Sequence, residues 1–375
     1  MNRNLLLGPA LLFCLALPAL AQSTLTPEGV AAQLQANADA KEPHLPAGVT
    51  ESPVSFITTD GLALPGTLTL PAPPPADPKK PASKPPVAVL EQGSGVQDRD
   101  ATVGANKFFQ QLAWGLAERG VATLRYDRRA KVDMANFIQH ADLDHEVVLD
   151  AAAALAFAQT LPQVDPGRVF LVGHSLGAQL APDTVALRLS QQADSVRGMA
   201  LLSGVARPID QVLDEQIRTL GKTQGGTPEQ IDQIAKHWAD VWAQAKDPAT
   251  PPDRRIGVGA SLPVTYWRDW LRRDPVATMH TLAVPALVTR GTKDVNSTHA
   301  DFELLKAAAT APGSDAREFT GLSHLYIPLA GEPNGGDVFT PGKVSPEFMD
   351  YLAAWLLHTG APKSVTVHLE RPVPQ

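Results

Sequence analysis

Short runs of uninterrupted apolar residues alternate along the chain with stretches whose apolar positions recur at helical spacing. Val87 to Leu90, Val121 to Leu124, Val169 to Val172, Met199 to Leu202 and Ala286 to Thr289 are the apolar runs. Each is short enough for a strand buried on both faces. Between them, Ala105 to Arg119 carries apolar residues at 108, 109, 112, 113 and 116, and Asp144 to Leu161 places Val147, Val148, Ala151, Ala152 and Leu155 on one face. Leu176 to Leu189, Phe302 to Ala309 and Pro346 to Leu357 also read as helices. Buried strands alternating with amphipathic helices predict an α/β fold whose mostly parallel central sheet has helices on both faces. Upstream, residues 53–58 and 62–70 read as two strands joined by the turn Thr59-Asp60-Gly61.

The rhythm breaks between Ala206 and His280, where no strand is expected and the runs are helical. Thr227-Pro228-Glu229-Gln230 is a capping box with proline at the first helical position. Four of the six tryptophans, Trp238, Trp242, Trp267 and Trp270, fall in this segment. It reads as a helical cap inserted between two strands of the core. The four rings then serve either as the core of that cap or as a wall of a substrate pocket suited to an apolar acyl or aryl group.

The ends of the chain and one loop read differently. Residues 1–21 have a short positive start at Arg3, an apolar stretch from Leu5 to Leu17 and an Ala19-Leu20-Ala21 cleavage pattern, which predicts a secretory leader and export to the periplasm or medium. The apolar run is short for a membrane span, so no stable membrane anchor is expected. Thr26 to Lys41 is polar, alanine-rich and compatible with a short helix. Residues 71–86 hold eight prolines, a composition for an exposed extended loop. The resulting division is a leader over 1–21, an N-terminal segment over 22–52, a first core part over 53–205, the cap over 206–280, a second core part over 281–360 and a tail over 361–375.

Composition narrows the chemistry. The 375 residues are 44% hydrophobic and 19% charged, as in globular proteins, and carry a net charge of -7. No basic stripe is present, so nucleic acid is not an expected partner. The single cysteine, Cys14, lies in the leader. A cysteine nucleophile, a disulfide and thiolate-bound zinc are therefore not expected in the mature chain. No histidine–carboxylate cluster has metal spacing, and neither metal nor cofactor is predicted.

The decapeptide from Arg168 to Gly177 contains Gly173-His174-Ser175-Leu176-Gly177, a G-x-S-x-G pattern at the end of an apolar strand and the start of a helix. That context makes Ser175 a nucleophile on a sharp turn, with the Leu176 N–H aimed at a developing oxyanion. A second donor is expected from the glycine-rich Gln92-Gly93-Ser94-Gly95 loop after the first core strand, through the backbone of Ser94. A serine hydroxyl needs a histidine base, and the histidine needs a carboxylate. With the chain order Ser, acid, His, the acid is Asp294, on the turn after the 286–289 strand, and Asp301 is its competitor in the following helix. The base is His324, after the strand-turn sequence Glu318-Phe319-Thr320-Gly321. His174, beside the serine, is expected to point away from it.

At these residues the chain resembles a family of secreted bacterial serine esterases of the α/β-hydrolase fold. The resemblance is carried by Gly93-Ser94-Gly95 with Gln97-Asp98-Arg99-Asp100, by Leu124 to Arg129, by the Gly173–Gly177 elbow, by Gly291 to Asp294, and by Gly321-Leu322-Ser323-His324-Leu325. It runs from about Val54 to Leu357. It implies the α/β-hydrolase fold, serine hydrolysis and a helical cap but does not fix the substrate, which is expected to be a small-molecule ester cleaved through an acyl-enzyme. Thioesterases and peptidases share this superfamily and remain alternatives, as does an inactive homologue that only binds ligand. Where many relatives carry histidine before the oxyanion glycine, this chain has Gln92, which could brace the loop by hydrogen bonding. Asp98, Arg99 and Asp100 are expected to form a structural charge cluster, and Asp127 with Arg128 to support the active-site loops.

Overall fold

The computed structural model describes residues 44–73, 83–191, 196–257 and 261–359. The expected leader, the Thr26–Lys41 helix, the C-terminal tail and residues 74–82 of the proline-rich stretch lie outside the described residues.

Among the described residues, eight strands form the central sheet: β1 (Thr50–Ile57), β2 (Ala63–Leu70), β3 (Val87–Glu91), β4 (Ala122–Tyr126), β5 (Val169–His174), β6 (Val196–Leu202), β7 (Ala286–Gly291) and β8 (Asp315–Phe319). Their spatial order is β1-β2-β4-β3-β5-β6-β7-β8. Only the pairings of β2 with β1 and with β4 are antiparallel; the rest are parallel. The hairpin joining β1 to β2 closes where the Thr58 N–H donates to the Leu62 carbonyl at 2.9 Å, with Gly61 at φ +88°.

Alternation along the strands divides the interior into two layers. Val169 and Leu171 of β5 point into one core, with helices α2 (Leu149–Thr160), α3 (Leu176–Ser190) and α8 (His299–Ala308). Phe170 and Val172 point into the other, with α1 (Phe108–Glu118) and α9 (Pro346–His358). Both faces of the sheet are thus covered, which is why β3, β4 and β5 are buried throughout.

The cap lies between β6 and β7 and contains α4 (Ile209–Thr223), α5 (Pro228–Lys246), α6 (Val264–Leu271) and α7 (Pro275–His280). Helix α5 starts at the expected capping box, Thr227 and Gln230 bonding reciprocally. The expectation of a purely helical segment needs one correction. Arg255–Ile256 and Leu262–Pro263 pair as a two-residue antiparallel ladder, too short to leave an alternating pattern. Helix α2 is preceded by a π-helical turn, Asp144–Val148. Among the described residues, no helix is long and apolar enough to cross a membrane.

Candidate active site

The end of β5 turns into α3 at Ser175, whose φ of 56° and ψ of −116° put a non-glycine residue in a strained conformation. The neighbours enforce it. The Ser175 N–H donates to the Leu202 carbonyl at 2.9 Å, and the Ser175 carbonyl accepts from Gln179 N–H at 3.0 Å. The flanking glycines are required by space. A Cβ on Gly173 would lie 2.4 Å from the Gly177 carbonyl oxygen, and a Cβ on Gly177 would lie 2.4 Å from that of Glu91. Strand and helix therefore meet more closely than any side chain allows. Leu176 is the first residue of α3, at the end where N–H groups are free for an anion.

The loop after β3 passes over this turn. A Cβ on Gly93 would sit 3.1 Å from the Cβ of Ser175, so Gly93-Ser94-Gly95 lies directly against the serine. Gln92 is buried, and its side-chain amide donates to the Tyr126 carbonyl. The Gln97 amide donates to the Ser94 carbonyl at 3.2 Å. Arg99 forks onto Asp127, with Nη2 to Oδ2 at 2.8 Å, and Arg125 pairs with Asp100 and Glu51. Asp98 accepts from the N–H groups of Asp100 and Thr102. These charges hold the loop and one another.

Asp294 and His324 are brought together from the loops after β7 and β8. Nδ1 of His324 lies 2.8 Å from Oδ2 of Asp294. The carboxylate only accepts, so Nδ1 carries the hydrogen and Nε2 is left with its lone pair. The other oxygen of Asp294 accepts from the N–H groups of Asn296 at 2.8 Å and Ser297 at 3.1 Å. Burial alone pushes the Asp294 carboxyl up, but the pairing with His324 and the Asn296 N–H outweigh it and hold the group below the ordinary carboxylate range. The two loops touch at Gly291, where a Cβ would be 2.1 Å from the Leu322 carbonyl oxygen. Asp301 does not approach His324. It caps α8 with Thr298 and pairs with Arg207 at 2.9 Å.

His174 contacts the loop that carries His324. Its ring is buried against Phe108, and its Nε2 lies 3.0 Å from the main-chain carbonyl of His324, with the two imidazoles 4.6 Å apart. Sequence reasoning missed this contact, because 150 residues separate the partners. The four tryptophans are buried in one apolar cluster that joins the cap to Leu176 and Leu180 of α3. Trp238, Trp242 and Trp267 pack mutually at 5.5 to 5.7 Å, and Trp270 donates to Gln179 of α3 at 2.9 Å.

A strained serine at a strand–helix turn, a glycine loop over it and a histidine–aspartate pair at the C-terminal ends of parallel strands are the layout of one fold. Residues 143–300 match a family model described as the alpha/beta hydrolase fold. The chain has the α/β-hydrolase fold. Esterase EstD of Thermotoga maritima is 31% identical over 305 residues, covering 80% of this chain and 66% of EstD. The chain thus spans just under two thirds of that curated relative's length. Among solved structures with this α/β-hydrolase fold, a thermostable esterase from Pseudomonas putida superposes with a TM-score of 0.54 at 15% identity, over 94% of this chain and 98% of its own. Est1E from Butyrivibrio proteoclasticus superposes with a TM-score of 0.50 at 17% identity, over 84% and 99%.

Proposed function

We propose that this α/β hydrolase is a serine esterase that cleaves small-molecule carboxylic esters through an acyl-enzyme. The observation that carries the reading is the pairing of His324 with Asp294, on a loop tied to the strained Ser175 turn through His174. His324 Nε2 takes the proton of Ser175 as the hydroxyl oxygen attacks the ester carbonyl. The N–H groups of Leu176 and Ser94 receive the oxyanion, each worth about 3 kcal/mol in the barrier. The protonated imidazole then gives its proton to the leaving alcohol. A water, deprotonated by the same nitrogen, releases the acid and restores Ser175. Asp294 fixes the tautomer of His324 and stabilises its charged form. The likeness to EstD supports ester over amide substrates.

The pattern over residues 1–21 supports export, and amino-terminal sequencing of the secreted protein should then begin at Gln22. The activity is tested with Ser175→Ala on 4-nitrophenyl acetate and butyrate. The wild type should turn both over and the variant should be reduced to background. Equal rates for the two proteins would refute the assignment. Thioester and peptide-amide substrates in parallel rank the bond preference.

A further inference from the structure

The oxyanion loop is held from beneath by one arginine. The main-chain N–H of Arg128 donates to the Gln97 carbonyl at 3.2 Å, and its Nη2 donates to the Gln92 carbonyl at 2.7 Å, so residue 128 grips both ends of the 92–97 loop. A peptide unit is planar and trans. Fixing the Gln92 carbonyl therefore fixes the plane in which the Gly93 N–H points the opposite way, at the entry to the glycines that face Ser175.

Arg128 is in turn aimed by Glu146, with Nη1 to Oε1 at 3.1 Å. The second oxygen of Glu146 accepts from the Tyr266 hydroxyl at 3.0 Å. Tyr266 belongs to the cap helix α6, and Glu146 stands on the π-helical turn before α2, a distortion frequent at functional sites. Gln92, Arg128, Glu146 and Tyr266 are all at least 97% buried. A buried ion pair of this kind is seldom more stabilising than apolar residues of equal volume, so stability alone does not account for it. The same helix α6 also reaches the nucleophile helix through Trp270 and Gln179, whose N–H in turn bonds the Ser175 carbonyl.

We propose that Tyr266, Glu146 and Arg128 are positioning residues forming a buried chain from cap to oxyanion loop, so that seating of helix α6 sets the geometry of the oxyanion donors. The inference rests on the esterase reading above. It separates two roles of the cap. Surfaces of the cap that touch substrate govern binding, whereas this chain governs the transition state, because it touches no substrate and acts through the loop.

The test uses the full-length protein with Arg128→Lys and Tyr266→Phe. Lysine keeps the charge but loses the fork that spans Glu146 and Gln92. Steady-state kinetics on 4-nitrophenyl acetate are combined with the affinity of an alkyl trifluoromethyl ketone, whose adduct with the serine places an oxyanion in the hole. For Arg128→Lys, kcat should fall about 30-fold with KM nearly unchanged, a loss between misplacing and deleting a donor. The ketone affinity should fall by a similar factor. Tyr266→Phe should lower both by about fivefold on the same grounds. Folded variants with wild-type kcat and ketone affinity overturn the proposal, as does a change confined to KM. If Arg128→Lys fails to fold, Tyr266→Phe decides alone by the same two readouts. A wild type that hydrolyses no ester would instead overturn the esterase reading, which makes the two failures distinguishable.

Discussion

His174 holds His324 by its backbone: the Nε2–H of the first donates to the main-chain carbonyl of the second, 3.0 Å away. A carbonyl can only accept, so this contact fixes the His174 tautomer, and it ties the residue before Ser175 to the loop that carries His324. The imidazole is buried, and burial together with the nearby His324 lowers its pKa from 6.5 to about 3. It therefore stays neutral and keeps its donor throughout the range in which a hydrolase works.

Replacing His174 by phenylalanine preserves the packing on Phe108 and removes the donor. The His324 loop should lose its register against Ser175, and kcat on aryl acetates should fall about tenfold or more, a misplacement effect. His174→Gln, which retains a donor, should recover part of the loss. Parallel kinetics of the two variants check this.

The same residue gives an acid-sensitivity signature. A histidine with a depressed folded pKa stabilises the native state above the unfolded value of 6.5, and that stability is lost as pH falls toward about 3. In that window the unfolded chain binds the proton and the native chain does not. His174→Phe should remove a slope of about 1.4 kcal/mol per pH unit from the stability profile. Denaturant unfolding at pH 4.5, 5.5 and 6.5 measures it.

Asp294→Asn should leave the fold intact, because the side-chain oxygen can still accept from Asn296 and Ser297. The imidazole loses its charge partner and its tautomer control. A fall in kcat of about 10³- to 10⁴-fold is expected, with little change in melting temperature.

Glu91 offers a titration of opposite sign. It is fully buried at the end of β3, with one oxygen near the Thr184 hydroxyl at 3.3 Å. Burial raises its pKa well above 4.5, against the pull of Arg128. The stability that a raised carboxyl contributes is present below 4.5 and is lost as pH rises toward the folded value. Glu91→Gln, a neutral isostere, should melt higher than wild type at pH 8, and the gain should shrink at pH 4.5. Thermal melts at the two pH values check the sign.

Much of this was legible in the sequence, and the reasons differ by element. Strands β3, β5 and β7 are buried on both sides, so continuous apolar runs marked them. Ser175 was legible because a strained turn with close strand–helix packing forces glycines at 173 and 177. Asp294 and His324 were singled out by chain order and by their loops, and the structure brings those two side chains together. The grip of Arg128 on Gln92 and the link from Glu146 to Tyr266 were not legible. They join residues 36 and 120 positions apart, and a buried charged side chain looks the same in sequence as a solvated one. The π-helical turn at Asp144–Val148 leaves no mark in the sequence, because a single five-residue turn is too short to shift the apolar spacing of the helix it opens.

Acyl-enzyme hydrolysis requires that Ser175 be the activated hydroxyl. Treating the folded protein with a fluorophosphonate and mapping the adduct by peptide mass spectrometry tests that directly. One adduct per chain is expected, on the peptide containing Ser175, and it should be lost when His324 is replaced by alanine. Folded protein that takes no label, or that is labelled at a different residue, would contradict it.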